Sequence, residues 1–167
     1  MAHWGRTDFE QLKKLQKQMQ KLQKVDLNKF CNDASKELAA RLLSLVIPRT
    51  PVGVYPDETG KKGGTLRRGW TAGQKDRPRQ YAMSLPVEKS GSYYVLRVIN
   101  PVNYASYVEF GHRQTPGRYV PAIGKQLKKG WIPGKYFLTL SEQDLERIAP
   151  SVLQRKLNKF LQEALGG

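Results

Sequence analysis

Cysteine and histidine are scarce in this chain, and so is negative charge. Its 167 residues include a single cysteine, Cys31, and two histidines, His3 and His112. One thiol cannot build a disulfide framework or a cysteine-based zinc site. Two histidines, widely separated, make a histidine-rich metal centre unexpected, so neither metal nor other cofactor is anticipated. Long apolar runs are missing too. The longest, around Leu42 to Ile47, is interrupted by Ser44 and falls far short of the roughly 20 residues that span a bilayer. Arg6, Asp8 and Glu10 precede any hydrophobic run, so no signal peptide is expected and the chain reads as a soluble protein made inside the cell.

What is present is positive charge and enough apolar material for a core. Lys and Arg number 29 against 14 Asp and Glu, a net +15, while 39% of residues are hydrophobic. That excludes a disordered chain, and the length fits one domain. The charge is unevenly placed. Residues 1–25, 49–80 and 112–135 carry +4, +5 and +6, which accounts for all of it, and the last of these has no acidic residue at all. The intervening segments each cancel to zero. A field concentrated on one terminal segment and two loop-like segments attracts polyanions or acidic protein surfaces, and salt weakens it. A solubilising charge excess is the plainer alternative.

Thr7 or Asp8 can cap a first helix running to about Val25, with Phe9, Leu12, Leu15, Met19 and Leu22 on one stripe and Lys13, Lys17, Lys21 and Lys24 opposite. Residues 1–25 are thus an amphipathic basic helix, and residues 26–167 a single α+β domain. Leu27, Phe30, Ala34, Leu38, Leu42 and Leu45 predict the buried face of a second helix, ended near Ile47 by Pro48. Residues 48–68 read as a Pro/Gly/Lys loop. Its glycines lack the order of a phosphate-binding loop, because Thr65 follows Gly64 directly with no lysine between. Trp70 and Ala72 suggest a short strand. The alternation of Tyr81, Met83, Leu85 and Val87, then a turn at 89–92, then the apolar run Tyr93 to Ile99, predict a hairpin at the heart of a small antiparallel sheet. A short helix follows Asn103, then a second basic loop over 112–134. Ser141 with Asp144 resembles a capping box, and Pro150 either starts or kinks the last helix, whose face is Leu153, Leu157, Phe160, Leu161 and Ala164.

No catalytic set assembles, so the chain does not read as an enzyme. Glu109 and His112, three apart near a helix end, are the one acid–base pair to consider, and a structural role at the helix terminus is the stronger reading. Cys31 reads as a small core residue. Trp70 and Trp131 can stack on bases or pack in a core or interface. No sequence-reading nucleic-acid motif is present.

The segment Tyr104-Ala105-Ser106-Tyr107-Val108-Glu109-Phe110-Gly111-His112 resembles the "YAxYVEFG" signature of the gp ten-like minor tail components of long-tailed phages, also called tail-completion or head–tail joining proteins. Thr50-Pro51-Val52 and Gly64-Thr65-Leu66-Arg67-Arg68-Gly69-Trp70 are similar to the two halves of that family's "TPV…TG-L" segment, and Pro133 to Leu138 to its Gly/Pro-flanked aromatic segment. The likeness covers about residues 26–165. Residues 53–63 separate halves that normally adjoin, and the 112–132 loop is long; both insertions coincide with basic clusters.

The resemblance implies a structural, non-catalytic virion protein, made in the host cytoplasm and placed in the neck. It would join or complete the tail as a homo-oligomeric ring, of six or twelve subunits, around the DNA channel. The implied partners are further copies of itself and adjacent neck rings: a head-closure or adaptor protein on one side, a tail terminator or tail tube on the other. Non-specific contact with genome DNA is included and membrane is not. Tyr104, Ala105, Tyr107, Val108, Glu109, Phe110 and Gly111 are expected to anchor the short helix, with the aromatic side chains mostly buried. Lys61, Lys62, Arg67, Arg68, Arg113, Arg118, Lys125, Lys128, Lys129 and Trp131 are the expected assembly or DNA-channel residues. A sequence-independent nucleic-acid-binding protein is the alternative.

Overall fold

Residues 9–23, 26–60, 62–73, 77–121 and 124–165 are described by a computed structural model of the chain. The fold is α+β. Six α-helices are present among these residues: α1 Phe9–Gln23, α2 Leu27–Arg49, α3 Thr65–Gly69, α4 Pro78–Ser84, α5 Ala105–Phe110 and α6 Phe137–Leu165, with one 3-10 turn at Asp57–Thr59. Six short strands accompany them: β1 Glu88–Ser90, β2 Tyr93–Val95, β3 Gly111–Arg113, β4 Tyr119–Val120, β5 Lys125–Gln126 and β6 Trp131–Pro133. They pair antiparallel as β1–β2, β3–β6 and β4–β5, three separate two-stranded ribbons rather than one central sheet.

The molecule is organised around α2. Asp26 caps it, its side chain accepting from the Lys29 N–H at 3.0 Å. Proline does not end it at Ile47. Pro48 lies in the last turn, where its missing N–H forfeits a single bond, and the helix runs on to Arg49. Thr50 closes it, donating both N–H and Oγ1–H to the Val46 carbonyl at 2.9 and 2.7 Å. Arg67 from α3 then donates to the Pro48 and Thr50 carbonyls at 2.7–3.1 Å, which satisfies acceptors that a helix end leaves open.

The buried face of α2 differs from the expected leucine stripe. Ala34, Ala39, Ala40, Leu43 and Val46 are buried, whereas Leu38, Leu42 and Leu45 are half-buried and Leu27 is exposed. The reason is that α2 is covered by two elements, α4 and α6, so small residues are needed where helices approach closely. Ala39, Ala40, Leu43 and Val46 join Leu66, Trp70, Ala82 and Phe137 in one core. Cys31 is only half-buried. Trp70 follows α3 in a turn, not a strand. Its indole N–H reaches Thr50 Oγ1 at 2.8 Å, and its ring meets Phe137 edge-on.

The segment expected as a first strand is instead α4. Pro78 sits in its first turn with φ set for a helix, and Tyr81 and Ala82 turn toward the core. Tyr81, Met83 and Leu85 alternate, but Pro78, Tyr81, Ala82 and Leu85 fit a helical period equally well, and the capping contact between Arg77 and Gln80 favours the helix. The hairpin shrinks to β1 and β2 around Gly91, and residues 96–100 continue without ladder bonds.

α6 begins at Phe137, four residues before the expected capping box, and continues unbroken through Pro150. It runs antiparallel to α2. Phe30 and Phe160 meet at 4.8 Å between ring centroids at one end, and Arg49 contacts Ser141 and Asp144 at the other. Of the residues predicted for its late buried face, Leu153, Leu157, Phe160, Leu161 and Ala164 are all half-buried. α1 lies against α6. Met19 of its predicted apolar stripe is exposed, as are Lys13, Lys17 and Lys21 opposite. The side chains of Phe9, Leu12, Leu15 and Leu22, together with Thr7, Asp8, Lys24 and Val25, lie outside the described residues.

Candidate functional site

The signature segment forms α5 and the turn that leaves it. A helix this short can offer only one side to the core. Ala105, Val108 and Glu109 fall within about 100° on that side, and Tyr107 and Phe110 on the other. Ala105 and Val108 accordingly pack against the core. Tyr104, Tyr107 and Phe110 are 40%, 58% and 59% exposed, so the expected burial of the aromatic side chains is overturned. They face solvent instead.

Glu109 is the buried member, 4% exposed. Its Oε2 accepts from the Leu138 N–H at 2.9 Å, and its Oε1 from the Thr139 N–H at 2.9 Å and the Thr139 hydroxyl at 2.7 Å. These are first-turn N–H groups of α6, which otherwise lack acceptors, and a carboxylate also suits the positive end of a helix. Glu109 is therefore a cap supplied from 29 residues away. It does not pair with His112. The imidazole instead lies edge-on to the Tyr107 ring, with Nδ1 3.4 Å from the Tyr107 carbonyl and Nε2 3.2 Å from the Gln114 amide nitrogen. The pair considered for acid–base chemistry is thus two separate structural contacts.

Two glycines permit this junction. Gly111 has φ +87°, and a Cβ there would stand 2.5 Å from the Ile132 carbonyl oxygen. A Cβ on Gly134 would stand 2.2 Å from the Glu109 carbonyl oxygen. The close approach lets Lys135 and Tyr136 donate their N–H groups to the Val108 and Glu109 carbonyls at 2.9 and 3.0 Å.

From this junction the second basic segment projects as a β-ribbon, not an irregular loop. Its base pairs His112 with Ile132 and Arg113 with Trp131. Gln114 donates to Gly130, Gly117 to Leu127, and Leu127 to Arg118. Tyr119 and Val120 then face Gln126 and Lys125. Between the two ladders, residues 115–117 oppose Lys128 and Lys129, one residue more than their partner strand, which makes a bulge. Tyr119-Val120 and Trp131-Ile132, β-favouring pairs on either side of turn residues, are the strand signal this segment carries.

The predicted site residues divide by place. Arg113, Arg118, Lys125, Lys128, Lys129 and Trp131 are gathered on the ribbon, all exposed. Arg67 and Arg68 are not part of a free loop. Arg67 closes α2, and Arg68 binds the Gly63 carbonyl and Thr65 hydroxyl nearby. Lys62 is exposed, and Lys61 lies outside the described residues. Among the described residues no group of His, Cys, Asp or Glu could hold a metal ion, and no helix is long and apolar enough to cross a membrane.

No curated protein and no solved structure matches the chain. The family model described as the bacteriophage HK97-gp10 tail component matches residues 13–111, from within α1 to the last glycine of the signature. The match holds more than half of the chain and takes in the α2 hub, the α3 clamp and all of α5, while the ribbon and α6 lie beyond it. The chain therefore belongs to the HK97-gp10-like family of bacteriophage tail components.

Proposed function

We propose that this tail component works at the head–tail interface, as a homo-oligomeric ring that joins or completes the tail around the DNA channel. Its place in a structural family of the virion carries the reading. Two surface features support it. The α5 aromatics leave apolar surface in contact with water, and the ribbon gathers cations with no acidic residue among them. Neighbouring subunits and adjacent neck rings are the partners that would cover them. A second reading, sequence-independent contact with DNA, is favoured by one observation: the ribbon carries five cations with no acidic residue between them. The two are compatible if part of the ribbon lines the channel.

The test is native mass spectrometry of the purified chain, followed by localisation in whole particles by cryo-electron microscopy. A defined multimer found between portal and tail tube is the expected result. A strict monomer, or density elsewhere in the tail, would remove the neck-ring reading and leave only the tail-component assignment.

A further inference from the structure

The ribbon that projects beyond Gly111 has a concave side, a cleft of about 790 Å³ lined by Gln114, Tyr119, Lys125, Leu127, Lys128 and Ile132 among others. Arg113, Arg118, Lys125, Lys128 and Lys129 form no ion pair among the described residues. A two-stranded ribbon is marginal on its own in water, and mutual repulsion of its cations weakens it further. It lacks something that is both acidic and partly apolar.

The same chain carries such a surface. Glu142 and Glu146 are exposed, one turn apart on α6, and make no ion pair among the described residues, whereas Asp144 holds Arg49 and Arg147, and Glu163 holds Lys159. On the other flank of the helix's exposed side, Leu140 and, just ahead of α6, Tyr136 are about half exposed. Asp33, Asp57 and Glu58 are also without ion pairs among the described residues, but Asp33 stands alone on α2 and the other two sit on a three-residue turn, so none of them makes a same-face pair on a helix. The ribbon springs from the start of α6, yet forms no ion pair with Glu142 or Glu146 of its own subunit. Unpaired cations and unpaired carboxylates on one chain are complementary between copies.

We propose that the concave basic face of the ribbon receives the 136–146 stretch, Tyr136 and the first turns of α6, from a second copy. Lys125, Lys128 and Lys129 face Glu142 and Glu146, while Tyr119, Leu127 and Ile132 pack on Leu140 and Tyr136. Charge pairs at an interface set register and partner choice, and the apolar contacts supply most of the affinity. The contact is head-to-tail, using different patches on the two copies, so repetition closes a ring or extends a filament. This rests on the ring reading above and assigns its subunit contact.

The experiment uses the full chain and two charge reversals, K128E/K129E and E142K/E146K, followed by native mass spectrometry and sedimentation. Each variant alone should lose the wild-type multimer, with self-association weakened at least about tenfold. An equimolar mixture should recover assembly, because each ribbon then meets an oppositely charged helix. The E142K/E146K variant, with an unaltered ribbon, guards against a ribbon variant that simply fails to fold. Persistence of the multimer in either variant, or no recovery on mixing, overturns this contact and leaves the ring intact. A K128E/K129E protein that still assembles but no longer binds duplex DNA in low salt also overturns it, and makes the ribbon a polyanion surface. A wild-type chain that is monomeric at every concentration overturns both the ring and this contact.

Discussion

Replacing Glu109 with alanine should destabilise the fold more than any change at an exposed signature position. The carboxylate accepts three hydrogen bonds, all from the start of α6. Alanine removes every acceptor and leaves two N–H groups and one hydroxyl with at best partial access to water, since Leu138 and Thr139 are half-buried. Loss of a helix cap costs about 0.5–2 kcal/mol, and each partly buried donor left without a partner about 1–3 kcal/mol. With some water entering the gap, a total of roughly 3–5 kcal/mol is expected, equivalent to a drop in Tm of about 6–20 °C for a chain of this size. Glu109→Gln is the informative comparison. Its amide oxygen can keep both Thr139 donors, but its NH2 then faces the Leu138 N–H, so about 1–2 kcal/mol is lost. The assay is urea and thermal unfolding of the three proteins, with α6 helicity followed by circular dichroism. The order wild type, Gln, Ala is required. An alanine variant that melts within a degree of wild type would show that Glu109 does not secure α6, and the account of the signature as a junction would fall with it.

Phe110→Ala should change stability by less than about 1 kcal/mol, because the ring is more than half exposed; a loss of the size seen for core phenylalanines would put it back in the core. Gly134→Ala should be strongly destabilising, since its Cβ would lie 2.2 Å from the Glu109 carbonyl oxygen, and a wild-type urea midpoint would contradict that packing. Thr50→Val should cost about 1–3 kcal/mol by leaving the buried Trp70 indole N–H without its acceptor, read from the urea midpoint. The Arg49 hydrogen bond, helped by the charges of Arg49 and Arg147 and opposed by burial, holds the Asp144 carboxyl below its ordinary value of 3.8. A depressed folded pKa means that this contribution is full above the unfolded value and lost as pH falls through the folded one. Wild type should therefore exceed Asp144→Asn in stability near neutrality and converge with it in acid, and a constant difference across that range would refute the coupling.

Family membership was legible because its carriers are local. A run such as Tyr104 to Gly111 keeps its meaning whatever lies around it, and the helical periods of α2 and α6 survive because they are long. The scarcity of cysteine and histidine and the concentration of charge are likewise properties of the chain alone. Other features depended on partners remote in sequence. The run from Pro78 to Ser84 satisfies strand alternation and helical period alike, and packing of Ala82 against α2 selects the helix. The buried face of α2 follows from being covered by both α4 and α6, which no single-helix pattern encodes. Whether Phe110 points inward was undecidable from spacing. α5 has room for one core-facing side, and Glu109 takes it because α6 offers three donors there. The second basic segment read as loop because its strands are only two or three residues long, too short for alternation to register. Only the cross-strand pairing of His112 with Ile132 and Tyr119 with Gln126 turns its glycines, prolines and lysines into an arm, since a ribbon is specified by contacts between strands rather than by either strand alone.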